Sequence, residues 1–191
     1  MSGTYPASPA PASISRTSFT PTMISVAHSL KRQVRTRGSQ QWSFALKYAP
    51  MRRATLAPLE AFLAAQRGQY STFLFVPPIL GSTSGSATGT VTVDGAHAAG
   101  VNSIAILGLT GTLKAGDMIK FAGHTKVYFL TADATTTMTI EPPLLSALTT
   151  GEAVSYNSVP VTCALASDTL TMTLNPANLT DGFEVNLVEV L

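Results

Sequence analysis

Gln41-Trp42-Ser43-Phe44-Ala45-Leu46-Lys47-Tyr48 is the stretch that sets the fold class. Trp42, Phe44, Leu46 and Tyr48 recur at every second position, the period of a strand with one buried face. Gly38 marks a turn before it and Pro50 breaks it. Beyond the proline, residues 53–67 (RATLAPLEAFLAAQR) change period: Leu56, Leu59, Phe62 and Leu63 form one apolar helical stripe. Proline deep inside a helix costs about 3 kcal/mol, so Pro58 is expected in the first turn, with Thr55 as N-cap. Gly68 is placed to stop the helix, and residues 72–76 (TFLFV) follow as a strand closed by Pro77 and Pro78.

On the N-terminal side, residues 23–37 (MISVAHSLKRQVRTR) alternate only in part and read as strand material with a basic tail. Residues 1–22, rich in Pro, Ser, Thr and Ala, read as an extended arm. On the C-terminal side, residues 81–89 (GSTSGSATG) have the composition of a flexible linker. Short strands are then expected at 90–93, 103–107, 118–121, 126–131, 138–140 and 153–156, punctuated by Gly and Asp turns, as in a small barrel or sandwich. Alternation returns in residues 168–174 (DTLTMTL) and 183–190 (FEVNLVEV), which predict two longer strands. The expected fold is therefore mainly β. Residues 23–80 and 158–191 build a β-sandwich or split-barrel core with one helix over 53–67. Residues 81–157 form an inserted or appended small β-barrel module.

Of the 191 residues, 45% are hydrophobic, enough for a sizeable core, and only 12% are charged, about half the roughly 25% usual for soluble domains. A chain that poor in charge favours burying part of its surface against partners. The net charge of +2 hides a split: residues 1–67 carry nine bases against Glu60, a balance of +8, and residues 68–191 carry three bases against nine acids, a balance of −6. Such asymmetry suits a nucleic-acid contact or a head-to-tail contact between copies. The absence of a nucleic-acid motif favours the protein contact. The lone Cys163 cannot form an internal disulfide and reads as a small buried residue. No apolar run is long enough for a transmembrane helix, and the first residues do not have the form of a secretory signal.

The search for chemistry returns no catalytic, cofactor-binding or metal-ligating residue. His28, His97 and His124 stand apart from one another at no metal-ligand spacing. No nucleophile elbow, P-loop or dinucleotide fingerprint occurs. Asp94, Asp117, Asp133, Glu141 and Glu152 share one module, but most fall in turns, where Asp serves local hydrogen bonds. The residues singled out are instead the basic run Lys31, Arg32, Arg35 and Arg37, together with Arg52 and Arg53 at the helix start, where the dipole prefers acids. These six are the candidate subunit-interface residues. Their alternative reading is a solvated basic face.

The order of the motifs carries a resemblance. Gln40-Gln41-Trp42-Ser43-Phe44-Ala45-Leu46-Lys47-Tyr48-Ala49-Pro50-Met51, then Ala61-Phe62-Leu63, Arg67-Gly68-Gln69 and Thr72-Phe73-Leu74-Phe75, resembles the distal tail (tail-tip hub) proteins of tailed bacteriophages. The closing Phe183–Leu191 segment fits the same pattern, whereas Arg52-Arg53 departs from the hydroxyl or acidic residue usual early in that helix. A looser resemblance, Gly111 to Phe121 followed by Val127-Tyr128 and Pro142-Pro143-Leu144, is to a small β-barrel insertion in phage structural proteins. The resemblance implies a non-enzymatic virion protein without cofactor. It would form a homo-oligomeric ring, commonly a hexamer, at the tail tip. Its partners would be further copies of itself, the tail tube protein, and the tip hub (baseplate) and receptor-binding proteins. DNA would pass only through the lumen, no membrane would be involved, and assembly would take place in the host cytoplasm. Two other readings stand beside it: a neck or tail-completion connector, and a carbohydrate-binding module over residues 84–157. The last would need exposed rings, and its aromatics Phe121, Tyr128, Phe129 and Tyr156 fall in strands.

Overall fold

The computed structural model describes residues 3–191; Met1 and Ser2 of the expected N-terminal arm lie outside the described residues. In chain order the elements are β1 (Ser13–Phe19), β2 (Thr22–Val26), β3 (Arg32–Thr36), β4 (Gln41–Tyr48), α1 (Arg53–Ala65), β5 (Phe73–Phe75), β6 (Val91–Val93), β7 (Ser103–Leu107), β8 (Met118–Phe121), β9 (Val127–Leu130), β10 (Thr137–Glu141), β11 (Ala153–Ser155), β12 (Val161–Leu165) and β13 (Phe183–Glu189). The protein is mainly β, with a single α-helix among the described residues, and it holds a closed barrel module. The chain divides into two compact units: residues up to 19 with 41–75 and 162–191, and residues 20–40 with 76–161.

The first unit is a five-stranded sheet in the order β1-β4-β13-β12-β5. The alternation that begins the sequence reading is realised: Trp42, Phe44, Leu46 and Tyr48 are all buried. Antiparallel β13 pairs with β4, placing Phe183 opposite Tyr48, Val185 opposite Leu46 and Leu187 opposite Phe44, so that two apolar faces coincide. The rings of Tyr48 and Phe183 stack at 4.8 Å. Leu56, Leu59 and Leu63 of α1 are buried, and Phe62 meets Phe73 of β5 edge-on at 5.4 Å. Tyr5 packs against Phe62, Phe73 and Phe75, and its hydroxyl lies 2.9 Å from that of Tyr48. Its backbone N–H donates to Leu74, so the N-terminal segment covers the β5 edge that would otherwise stay open. Cys163 is buried in β12.

The second unit contains the closed barrel β10-β7-β6-β11-β8-β9. The short strands fall close to the positions their turn spacing predicts. Its core is self-contained within residues 87–156, with Phe121, Tyr128, Ile104, Met138 and Ile140 fully buried. Tyr128 is anchored by the ring Nδ1 of His124 and by the backbone N–H of Leu145, both on its hydroxyl.

Several local expectations change. Residues 13–19, read as part of the arm, form the sheet's edge strand, paired in register from Ser13–Lys47 to Phe19–Gln41. An edge strand buries little, so its Ser/Thr/Arg sequence carries almost no apolar signal. Residues 20–40 group with the barrel unit and not with the sheet, and the Gln40 side chain accepts from the buried Lys126 ammonium there at 2.6 Å. Residues 81–89 are not a flexible linker. Thr83 and Ser84 bond the Asp117 carboxylate, Thr88 pairs with Thr110 through both backbone bonds, and a Cβ on Gly85 would collide with the Thr112 carbonyl. Helix α1 starts at Arg53, with Arg52 and not Thr55 at the N-cap, so Pro58 lies in the second turn. Residues 168–173 form no strand; only Leu174 makes an isolated bridge, to Thr180.

Candidate subunit interface

The six candidate residues fall in two places. Lys31, Arg32, Arg35 and Arg37 belong to the β2–β3 hairpin, and Arg52 and Arg53 to the start of α1; all six are exposed. The structure therefore does not gather them in one unit.

The hairpin forms where two partly alternating segments, Thr22–Val26 and Arg32–Thr36, pair antiparallel in full register across a short loop. The N–H of Leu30 donates to Ala27 and that of Ala27 to Lys31, closing a tight turn in which Leu30 holds φ at +61°. That left-handed conformation costs a leucine about 1–2 kcal/mol relative to glycine. Directly opposed residues of an antiparallel pair share a face. The register Ile24–Val34 and Val26–Arg32 thus puts three aliphatic side chains and one guanidinium on one face, while Met23, Arg35, Ser25 and Gln33 occupy the other. Every residue of both strands is exposed, and Ile24, Val26 and Val34 each leave more than half their surface in solvent. Two-stranded hairpins are marginal in water without a surface to pack on. Charge pattern located the bases of this element, but periodicity alone could not show that neither face of the hairpin is covered.

At the start of α1, Arg52 supplies no side-chain cap and the first turn holds no acid. Its exposed backbone is satisfied from the 175–180 turn, where Arg53 donates to Asn178 and Arg52 pairs with Leu179. Two bases there oppose the helix dipole by a few tenths of a kcal/mol each, up to about 1 kcal/mol. Nearby, a groove of about 420 Å³ runs between the later part of α1 and residues 165–172. Leu63, Leu165, Leu170 and Met172 give it an apolar lining, Glu60 and Asp168 are its acids, and no base lines it. Asp168 is held in place by the Gln69 N–H at 2.9 Å, and a Cβ on Gly68, at φ +65°, would collide with its carboxylate. Sequence reading passed over this groove because residues 168–174 were assigned to a strand.

The histidines lie apart: His28 in the exposed hairpin loop, His97 bonded to the Asp94 carbonyl, His124 on Tyr128. Of the four aromatics that a sugar platform over residues 84–157 would need, Phe121, Tyr128 and Tyr156 are buried in the barrel. Among the described residues, no helix is long and apolar enough to cross a membrane. Comparison with known proteins returns no matching family model and no matching curated protein.

Proposed function

We propose that this chain is a structural building block of a tailed-phage virion. In this reading it forms a ring at the distal end of the tail and joins the tail tube to the tip hub and receptor-binding proteins. The ring would be hexameric, as the resemblance of Gln40–Met51 and Phe62–Phe75 to distal tail proteins implies. The chain would act by shape and contact, without turnover or cofactor. The observation that carries the reading is the β2–β3 hairpin, whose apolar and basic side chains are bare on both faces in a single copy. The +8 and −6 balances of residues 1–67 and 68–191 support it, because head-to-tail contacts between identical copies need unlike surfaces. Light scattering and negative-stain electron microscopy of the full purified chain test it. Closed rings of uniform size are expected. A monodisperse monomer at high protein concentration would sink the proposal.

A further inference from the structure

Three features point to one contact. Residues 169–173 (TLTMT) have strand alternation yet join no ladder among the described residues. They border the α1 groove, whose Leu170 and Met172 present apolar surface beside Glu60, the sole acid of residues 1–67, and exposed Asp168. The β2–β3 hairpin has the complementary surface: Ile24, Val26, Val34 and Arg32 on one face, and four bases with no acid across residues 20–40. A groove of apolar floor and acidic rim matches a ribbon of aliphatic centre and basic border in both polarity and sign.

We infer that the hairpin of one copy seats in the α1 groove of a second copy, its Ile24–Val34 face against Leu170 and Met172, with Arg32 facing Glu60 and Asp168. This contact rests on the ring reading and names the surfaces that would build the ring. It is heterologous, with different patches on the two copies, so repetition gives a ring when the rotation closes. It also accounts for an apolar ribbon left bare to water and for a strand-patterned segment left without a strand.

Two blunted variants of the full chain test it. Arg32→Glu with Val34→Glu spoils the hairpin, and Glu60→Lys with Leu170→Glu spoils the groove. Each alone is expected to weaken assembly by at least about tenfold, the effect of one lost interface contact. An equimolar mixture retains one good hairpin and one good groove, so it is expected to give a 1:1 heterodimer that grows no further. That complementation also shows that both variants are folded. Met23→Ser, on the opposite face, is expected to assemble as the parent does. A variant pair that assembles like the parent overturns the contact and leaves the ring reading standing. Blunted chains that stay monomeric when mixed overturn it too, and point to a hairpin partner other than a second copy. In an Ile24→Cys, Met172→Cys chain, oxidation is expected to link copies covalently. A crosslink closed within one chain would place the hairpin in its own groove and overturn the inference. A parent chain that never assembles removes both this contact and the ring.

Discussion

Asp117 accepts from the Thr83 hydroxyl, the Ser84 N–H and hydroxyl, and the Lys114 N–H, pinning the 81–89 segment to the β8 turn. Burial alone would raise this carboxyl, but those donors outweigh it and hold its pKa below the ordinary 3.8. Depression in the folded state means the contribution is present above the unfolded pKa and is lost as pH falls through the lower, folded one. The barrel is therefore expected to lose stability below about pH 4, and Asp117→Asn to remove part of that acid sensitivity in denaturant titrations. Asp117→Ala removes the shared acceptor of four part-buried donors at once and is expected to cost about 1–2 kcal/mol. The Tyr5–Tyr48 hydroxyl pair runs the other way. Burial, reinforced by their mutual hydrogen bond, pushes the Tyr5 phenol far above its ordinary 10.0. The folded state then keeps a proton that the unfolded chain gives up, so stability falls as pH rises past 10. Tyr5→Phe with Tyr48→Phe is expected to flatten that alkaline fall in thermal melts. Sequence made Tyr48 legible as a core residue by its alternation. Tyr5, in a Pro/Ser/Ala arm, carried no such signal, whereas the alternation of residues 183–190 already puts Glu189 on the face of Phe183, Val185 and Leu187, where it is buried and its Oε2 accepts from the Trp42 N–H.

Among elements, α1 was legible as a helix, but its start was misjudged because proline was expected to mark the first turn. The helix begins five residues before Pro58, which leaves the Ala54 carbonyl without its usual i+4 donor. Pro58→Ala restores that donor and is expected to raise stability by about 1–2 kcal/mol, part of the intrinsic gain being offset by a freer unfolded chain; a higher denaturation midpoint at unchanged slope would show it. The hairpin offers a parallel test: Leu30→Gly relieves the left-handed leucine and is expected to stabilise the ribbon locally by about 1 kcal/mol, read as slower amide exchange across residues 22–36. Alternation in Gln41–Tyr48 and in Phe183–Glu189 specified real strands because each found a neighbour with a matching apolar face. The same alternation in residues 168–174 did not, since Val161–Leu165 takes the place beside β13. A period names what a segment can pair with and leaves open whether a pairing site remains. The 81–89 glycines were misread for a related reason. Composition registers them as freedom, whereas here they permit close backbone approach, as where a Cβ on Gly89 would strike the Gly108 carbonyl.

At the scale of the whole molecule, the six barrel strands β6–β11 are inserted in the chain between β5 and β12, which are neighbours in the sheet. The ends of that segment meet, where the Val159 N–H donates to the Gly81 carbonyl at 2.8 Å. Every residue of its buried core cluster falls between 87 and 156, so the apolar surface that stabilises it is supplied from within. Insertions whose ends meet and whose cores are closed impose little loop-closure cost on the host. Residues 81–159 are therefore expected to fold alone, with cooperative thermal unfolding and dispersed amide resonances. Replacing residues 82–158 by a short Gly/Ser linker is expected to leave the sheet unit folded, with Phe44 and Leu187 still protected from exchange. The basic hairpin remains in that shortened chain together with the α1 groove, so its assembly is expected to persist and to weaken with salt as charged contacts are screened. If the shortened chain folds but no longer assembles, the contacts between copies belong to the barrel. If it neither folds nor assembles, the two units depend on each other, and the self-contained core of residues 87–156 is not sufficient to make them separable.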